Sequence, residues 1–162
     1  MEVVALQKID SIDLVNYILY KYGPMSHLKL QKLLFYCDAY HLAYFDAELV
    51  NDKFEAWVHG PVSKKVFDFL KDKSLLYADL HFSGDAEHTM SSYLKLTTDQ
   101  RDLIDDVLSV LSLWSGMQLE TATHREKPWQ EMRVDLGIGD KCNREISKET
   151  TKVFYKTELG LI

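Results

Sequence analysis

Two histidines, each close to a tryptophan and a proline, are the side chains in this sequence whose types and spacing best suit chemistry. The first stretch reads WVHGP at residues 57–61, and the second reads THREKPW at residues 123–129. His59 and His124 would serve as the acid and the base of a small hydrolase. Because the sequence places no nucleophile or perturbed carboxylate with them, catalysis is the least favoured of three interpretations.

The other two interpretations of these stretches are structural and partner-binding. In the structural one, Trp57 and Trp129 fill gaps between helices, while the histidines bond to backbone groups. In the partner-binding one, tryptophan and histidine beside rigid turns anchor a protein partner. Composition favours structure, and partner binding stays open. The candidate partner-binding or signature residues are Trp57, His59, Gly60, Pro61, His124, Pro128 and Trp129.

A cysteine and a histidine four residues apart form a second candidate site. Cys37 and His41 would share one helix face, as a nucleophile with its base or as half of a zinc site. Both fall on an apolar helical stripe, so we predict core packing instead. The sequence also has no GxSxG, HExxH or paired CxxC motif. We therefore predict no catalytic residue, metal or cofactor.

Two further patterns are predicted to be structural. Acids are favoured in the first turns of a helix, and four aspartates lie there opposite an apolar stripe, so we predict a solvated acidic face. The glycine pair at residues 137–139 has neither the preceding strand nor the third glycine of a phosphate-binding loop, and we predict a plain loop. The four aspartates are Asp99, Asp102, Asp105 and Asp106.

Composition excludes several classes of protein. The chain has 162 residues, 46% hydrophobic and 27% charged, which is typical of a soluble globular protein. Its formal charge is -6, with 19 basic against 25 acidic residues, so we expect a basic partner and no direct nucleic-acid binding. No apolar run reaches the roughly 20 residues that span a membrane, and the N-terminus does not resemble a secretory signal. The two cysteines, Cys37 and Cys142, lie in unlike contexts, so a disulfide framework is not expected. The expected location is therefore the cytoplasm.

Apolar spacing and capping residues predict two helices at the start of the chain. The first spans about residues 11–22, and the second begins at Ser26 with a stripe wide enough for a central helix. Residues 54–58 are too few for a helix and predict a strand or extended segment that ends at a Gly-Pro corner. A third helix is predicted over residues 63–73.

The middle of the chain has a weaker pattern. Two short strands at residues 76–81 and 93–96, separated by a turn-rich segment, predict a β-hairpin. A strong amphipathic helix then begins at Thr98 and runs to Gly116. A shorter helix follows it and ends before Pro128.

The last predicted helix spans residues 147–157 and places Val153 and Phe154 inward, with Thr150 on the same side. No internal repeat is present. The sequence as a whole predicts a mainly α (α+β) fold: about six helices with a small β-hairpin or short strand element. We expect residues 1–162 to form a single domain.

Two long stretches resemble the signatures of the Panacea domain family, which includes SocA-like and GepA-like proteins. The first is KLQKLLFYCDAYHLAYFDAELVNDKFEAWVHGPVSKKVFDFL, and the second is MQLETATHREKPW. Together they cover about residues 29–129. Cys37 departs from the alanine that is common at its place. The matching positions also include Leu30, Lys32, Leu33, Leu34, Tyr36, His41, Leu42, Glu55, Ala56, Val62, Leu119 and Thr123.

The resemblance implies an antitoxin from a bacterial or phage toxin-antitoxin pair. Members of this kind bind and neutralise a toxin encoded beside them, and no enzymatic activity or cofactor accompanies the family. At least one branch instead acts as an adapter that delivers its toxin to a Clp-type protease. The implied partners are a cognate toxin and, in the alternative, such a protease. Whether Trp57 and His59 touch the toxin is left open.

Overall fold

Helix α2 (His27–Phe45) lies at the centre of the molecule. The computed structural model describes residues 5–73 and 78–162. Fifteen of the 19 residues of α2 are buried, because later helices and a β-hairpin pack around it. A helix that is buried on all sides is expected to be apolar around its whole circumference, and α2 departs from this with several buried polar side chains.

The limits of the first helix and the start of the second helix lie where the sequence predicts. Helix α1 (Ser11–Tyr22) starts at Asp10, whose carboxylate accepts a hydrogen bond from the Ile12 backbone N–H at 2.8 Å. Strand β1 (Met25–Ser26) then leads into α2, where the Ser26 hydroxyl accepts from the Lys29 N–H at 3.1 Å. Each cap satisfies a backbone donor that the first helical turn leaves without a partner.

The Gly-Pro corner belongs to a tight β-hairpin. Strands β2 (Phe54–Trp57) and β3 (Gly60–Ser63) pair antiparallel, with Trp57 opposite Gly60. The predicted extended segment is confirmed. The second strand is a finding of the structure, because GPVS carries the glycine and proline that indicate a turn. Helix α3 (Lys64–Leu70) follows directly, and Ser63 caps it.

The predicted hairpin in the middle of the chain is wrong. Strand β4 (Asp79–Leu80) pairs with β1, more than 50 residues earlier, and not with residues 93–96. Tyr93 lies in helix α4 (Ala86–Leu94), which Asp85 caps with bonds from two backbone N–H groups. Serine and threonine, which are frequent in this segment, have a low helix propensity. The helix is therefore stabilised by its packing against α1 and by the Asp85 cap. Residues 76 and 77 of the predicted strand lie outside the described residues.

Four helices complete the fold. Helix α5 (Thr98–Leu111) and helix α6 (Gly116–His124) both begin with a capping box, at Thr97 and Ser115. Helix α7 (Lys127–Gln130) has Pro128 in its first turn and continues into a 3-10 turn at Glu131–Arg133. Helix α8 (Lys148–Glu158) then packs along α2.

The predicted inward face of the last helix is wrong for Val153, whereas Phe154 is partly buried and packs against the core, as predicted. Val153 is 45% exposed, and the buried positions of α8 are Thr151 and Tyr155. The Tyr155 ring packs edge-on against Phe35, with ring centroids 6.4 Å apart. Aromatic packing against α2 thus sets the face, and this outweighs the aliphatic side chain of Val153.

Within residues 5–73 and 78–162 there are eight α-helices and two antiparallel strand pairs. The mainly α fold with a small β element is confirmed. None of the described helices combines the length and apolar character that crossing a membrane requires.

Candidate functional site

A cleft of about 1010 Å³ opens beside the β2–β3 hairpin, and we call it the hairpin cleft. Its walls come from the first turns of α2, the hairpin, α3 and the loop at residues 139–143. Trp57 and His59, two of the predicted site residues, line it. The other lining residues are His27, Leu28, Gln31, Lys32, Glu55, Val58, Val62, Lys64, Phe67, Lys71, Gly139, Lys141, Cys142 and Asn143.

A buried lysine lies behind the hairpin at the base of this cleft. Lys32 is 0% exposed, and its Nζ donates to the Pro61 carbonyl at 3.1 Å. Burial lowers the pKa of Lys32 to about 7, although the nearby Glu120 carboxylate opposes the shift. Desolvation disfavours the charged form of an amine, and one carbonyl only partly replaces its water shell.

Gly60 is required where the hairpin crosses Lys32. Its φ is +110°, in a region that side chains rarely adopt. A Cβ atom there would lie 2.5 Å from Lys32 Cε and 2.8 Å from Thr123 Oγ1. The backbone of Gly60 therefore packs directly on the lysine stem and on helix α6.

Gln31 fixes the other end of strand β3. The Ser63 N–H donates to Gln31 Oε1 at 2.9 Å, and Gln31 Nε2 donates to the Ser63 carbonyl at 3.2 Å. The Ser63 hydroxyl donates to Asp52. His27, one turn before Gln31, is buried, and burial lowers its pKa to about 4. This wall of the cleft is consequently held by side-chain bonds to the strand backbone.

The two stretches that contain tryptophan and histidine meet in space. Trp129 Nε1 donates to the Trp57 carbonyl at 2.8 Å. His124 stacks on Trp129 with ring centroids 4.0 Å apart and planes 13° apart. The Arg133 guanidinium also lies over the Trp129 ring, 5.1 Å from its centroid. Arg133 donates a hydrogen bond to the Ala56 carbonyl at 2.9 Å. The second stretch therefore braces the outer strand of the hairpin.

Glu120 lies between the two histidines. Its Oε1 is 2.7 Å from His59 Nδ1 and 3.9 Å from His124 Nε2. Burial lowers the pKa of His124, and the Glu120 carboxylate opposes this effect. Within the described parts of the chain, no three His, Cys, Asp or Glu residues form a group that could hold a metal ion. The arrangement ties the hairpin turn to α6.

The seven predicted site residues thus divide between the cleft and the packing behind it. Gly60, Pro61 and Pro128 are buried, and His124 and Trp129 are half-buried at the contact between the two stretches. Trp57 and His59 alone among the seven line the cleft. Lys32 and Glu120 were not assigned to the site from the sequence. The signals were a lysine within an apolar stripe and a glutamate four residues before His124.

Cys37 and His41 lie in the core, as predicted. Cys37 is a buried free thiol, and burial raises its pKa. His41 Nδ1 is 2.6 Å from the Ala47 carbonyl, and its Nε2 is 2.9 Å from Gln100 Nε2. These bonds fix the ring between α2, the following loop and α5.

The predicted acidic face needs one correction. Tyr17 and Tyr22 of α1 donate their hydroxyls to Asp105 Oδ1 at 2.6 and 2.9 Å. Asp105 therefore joins α5 to α1, because it lies on the side of α5 that faces the two tyrosines of α1. Asp99, Asp102 and Asp106 are exposed, as predicted.

An exposed apolar surface lies next to the cleft, at the junction of α5 and α6. We call it the α5–α6 surface. A Cβ atom on Gly116 would lie 3.6 Å from Leu28, which lines the cleft, so the junction of the two helices packs against the cleft wall. Its four side chains and their exposure are Val110 56%, Leu113 83%, Trp114 39% and Met117 72%.

Comparison with known proteins defines the class. A family model described as the antitoxin SocA-like, Panacea domain matches residues 30–130, so the chain belongs to this family. Among curated proteins it is similar to Antitoxin SocA of Caulobacter vibrioides (strain NA1000 / CB15N). The two are 27% identical over 167 residues, covering 96% of this chain and 88% of the relative. None of the solved structures gives a significant match.

Proposed function

We propose that this protein is a cytoplasmic antitoxin that neutralises its cognate toxin by direct, stoichiometric binding. Membership of the antitoxin family supports the class of function. Action by binding needs no cofactor and no catalytic group, so neither His59 nor His124 has to act as an acid or a base. The partner is the toxin encoded beside this chain.

The α5–α6 surface is the observation that carries the binding mode. It places four large apolar side chains in solvent within eight residues, from Val110 to Met117. Contiguous apolar patches on a folded surface mark protein interaction sites, because their burial by a partner is favourable by about 25 cal/mol per Å². Tryptophan is also among the residues most enriched at the energetic centre of interfaces.

The predicted site residues take two roles in this proposal. Trp57 and His59 line the cleft whose wall packs against the α5–α6 junction, and we assign them to toxin contact. Gly60, Pro61, His124, Pro128 and Trp129 are assigned to positioning the hairpin, since all five are buried or half-buried between elements.

The test is growth of cells that express the adjacent toxin gene with and without this protein, followed by co-purification. We expect rescue together with a stable complex. The variant L113E/M117E should lose rescue, because two carboxylates in an apolar interface are strongly unfavourable. The control L94E/V153E makes the same chemical change at exposed positions on α4 and α8 and should keep rescue. Rescue by L113E/M117E equal to the wild type would contradict this binding mode.

Toxin abundance separates the alternatives. A stoichiometric inhibitor leaves the toxin level unchanged or raised, whereas an adapter for a Clp-type protease lowers it, and deletion of the protease restores it. A hydrolase that used His59 and His124 would rescue without any complex, and alanine at both positions would abolish rescue of cells while the fold persisted.

A further inference from the structure

The hairpin cleft differs in charge from the rest of the molecule. The whole chain carries a formal charge of -6. The cleft lining instead contains three exposed lysines, Lys64, Lys71 and Lys141, apart from the buried Lys32, and one glutamate, which accepts the Trp57 indole N–H at 2.8 Å. Asp68, on α3, pairs with Lys64 at 2.7 Å and contacts Lys71 at 3.6 Å, so it offsets part of the positive charge. Glu120 lies outside the lining and contacts His59 at 2.7 Å, so the positive excess of the cleft is small and is centred on the exposed lysines of its rim, where an anion is favoured.

The interior of the cleft is apolar and aromatic. Trp57 and Phe67 meet edge to face with ring centroids 4.9 Å apart, and His27 stacks on Phe67 at 5.5 Å. Leu28 and Val62 add aliphatic surface. Such a surface, with polar groups only at a few points, is suited to an apolar side chain oriented by charges at the rim.

We propose that the hairpin cleft binds a short segment of the toxin in which an apolar or aromatic residue is flanked by carboxylates. This inference rests on the proposed antitoxin function and assigns one recognition element of the partner. The apolar side chain packs against the Trp57 and Phe67 rings, which are in contact with each other. The carboxylates lie at the rim, near Lys64 and Lys141. The volume of about 1010 Å³ is at the upper end for compact ligands and admits a few residues of peptide.

A peptide fits this lining better than a nucleotide. Bidentate recognition of phosphate relies on arginine forks, and a glycine-rich backbone can cradle the phosphate oxygens. Among the described residues that line the cleft there is no arginine. Lysines at the rim act as point charges, which suit a carboxylate attached to a mobile chain.

The position of the cleft allows one toxin to use both surfaces. Leu28 lines the cleft, and Gly116 of the α5–α6 junction packs on it. Lys29, the next residue, donates to the Ser112 carbonyl and fixes the junction to the start of α2. A globular toxin body on the α5–α6 surface would therefore have a neighbouring segment within reach of the cleft.

The test measures affinity of the purified adjacent-gene toxin for matched charge-reversal variants. K64E/K141E reverses two exposed cleft lysines, and K21E/K95E makes the same change in net charge on α1 and after α4. We expect the cleft variant to raise the Kd about 30-fold and the control to change it by less than about threefold. Equal losses in the two variants would overturn the inference.

Two further measurements distinguish a failure of the cleft inference from a failure of the proposed antitoxin function. N143W adds bulk from the exposed loop into the cleft without touching the core, and it should weaken binding as K64E/K141E does. Overlapping peptides of the toxin should include a binder with an apolar residue between acids. Toxin binding with no effect of N143W overturns the cleft inference alone, and so does tight binding of ATP without any peptide binder. No toxin binding by the wild type contradicts the proposed function itself.

Discussion

Gly60 is the residue on which the hairpin most depends. Its backbone lies against Lys32 and Thr123 with φ at +110°. We expect G60A to lower the free energy of unfolding by about 2 kcal/mol or more, because the added methyl meets a fixed lysine stem and the backbone is strained. Chemical denaturation measures this loss.

Gly139 provides the matched control, since a Cβ there would meet nothing within 4 Å. G139A should change the free energy of unfolding by less than about 0.5 kcal/mol. Similar effects of the two substitutions would mean that the close approach at Gly60 is relaxed easily.

Lys32 makes stability depend on pH in a defined window. Its folded pKa is about 7, below the ordinary 10.5. Between these values the unfolded chain holds a proton that the folded one lacks, so its contribution to stability rises with pH by up to about 1.4 kcal/mol per unit. K32M removes this contribution. The difference in unfolding free energy between wild type and K32M should therefore rise from pH 7 to pH 10.

The control for this titration is K53M, because the Lys53 side chain is 75% exposed. The difference between wild type and K53M should stay flat over the same range. If the K32M difference were also flat, the folded protein would keep Lys32 protonated, and its burial would have to be compensated by groups other than Pro61.

At the scale of the elements, Asp105 joins α5 to α1 through two tyrosine hydroxyls. Hydrogen bonds to a charged group contribute about 1.5–3 kcal/mol, and losing the carboxylate leaves both hydroxyls without their acceptor. We expect D105A to lower the free energy of unfolding by about 2 kcal/mol. D106A, at the exposed neighbour, should be close to neutral. A neutral D105A would show that water replaces the carboxylate.

The elements that the sequence predicts correctly are those with local determinants. Helices α1 and α2 each combine a capping side chain with a long apolar period, so their starts follow from a few neighbouring residues. Helix α5 was predicted from the same signals, but its cap is Thr97 and it ends at Leu111, five residues before the predicted Gly116. Strand β4 depends on pairing with β1 across the chain, and α4 on packing against α1. No local pattern contains those contacts, which is why the predicted hairpin is wrong.

The candidate site shows the same division. The tryptophan and histidine stretches were found from composition and spacing, but the sequence left open which of their residues are structural and which bind a partner. Their contact through Trp129 and the Trp57 carbonyl spans 72 residues and is seen only in the structure. The buried state of Lys32 was also missed, because a lysine in an amphipathic helix is ordinarily taken to lie at its exposed edge.

At the scale of the whole molecule, the acidic charge predicts salt-sensitive association. A chain of formal charge -6 attracts a basic toxin over distances that 0.1 M salt screens to about 10 Å. We expect the association rate constant to fall about tenfold between low and high salt while the dissociation rate constant changes little. Stopped-flow measurements give both. Equal association rate constants at low and high salt would exclude steering of the encounter by the net charge.

The enclosure of α2 has an evolutionary consequence. With 15 of 19 positions buried, almost any change in this helix disturbs several neighbours at once. A saturation library selected for soluble protein should therefore accept few substitutions in α2 and many at residues 110–117 and 134–143, which are largely exposed. Relatives that met different toxins would then have diversified on those two segments, while the helix beneath them stayed nearly constant.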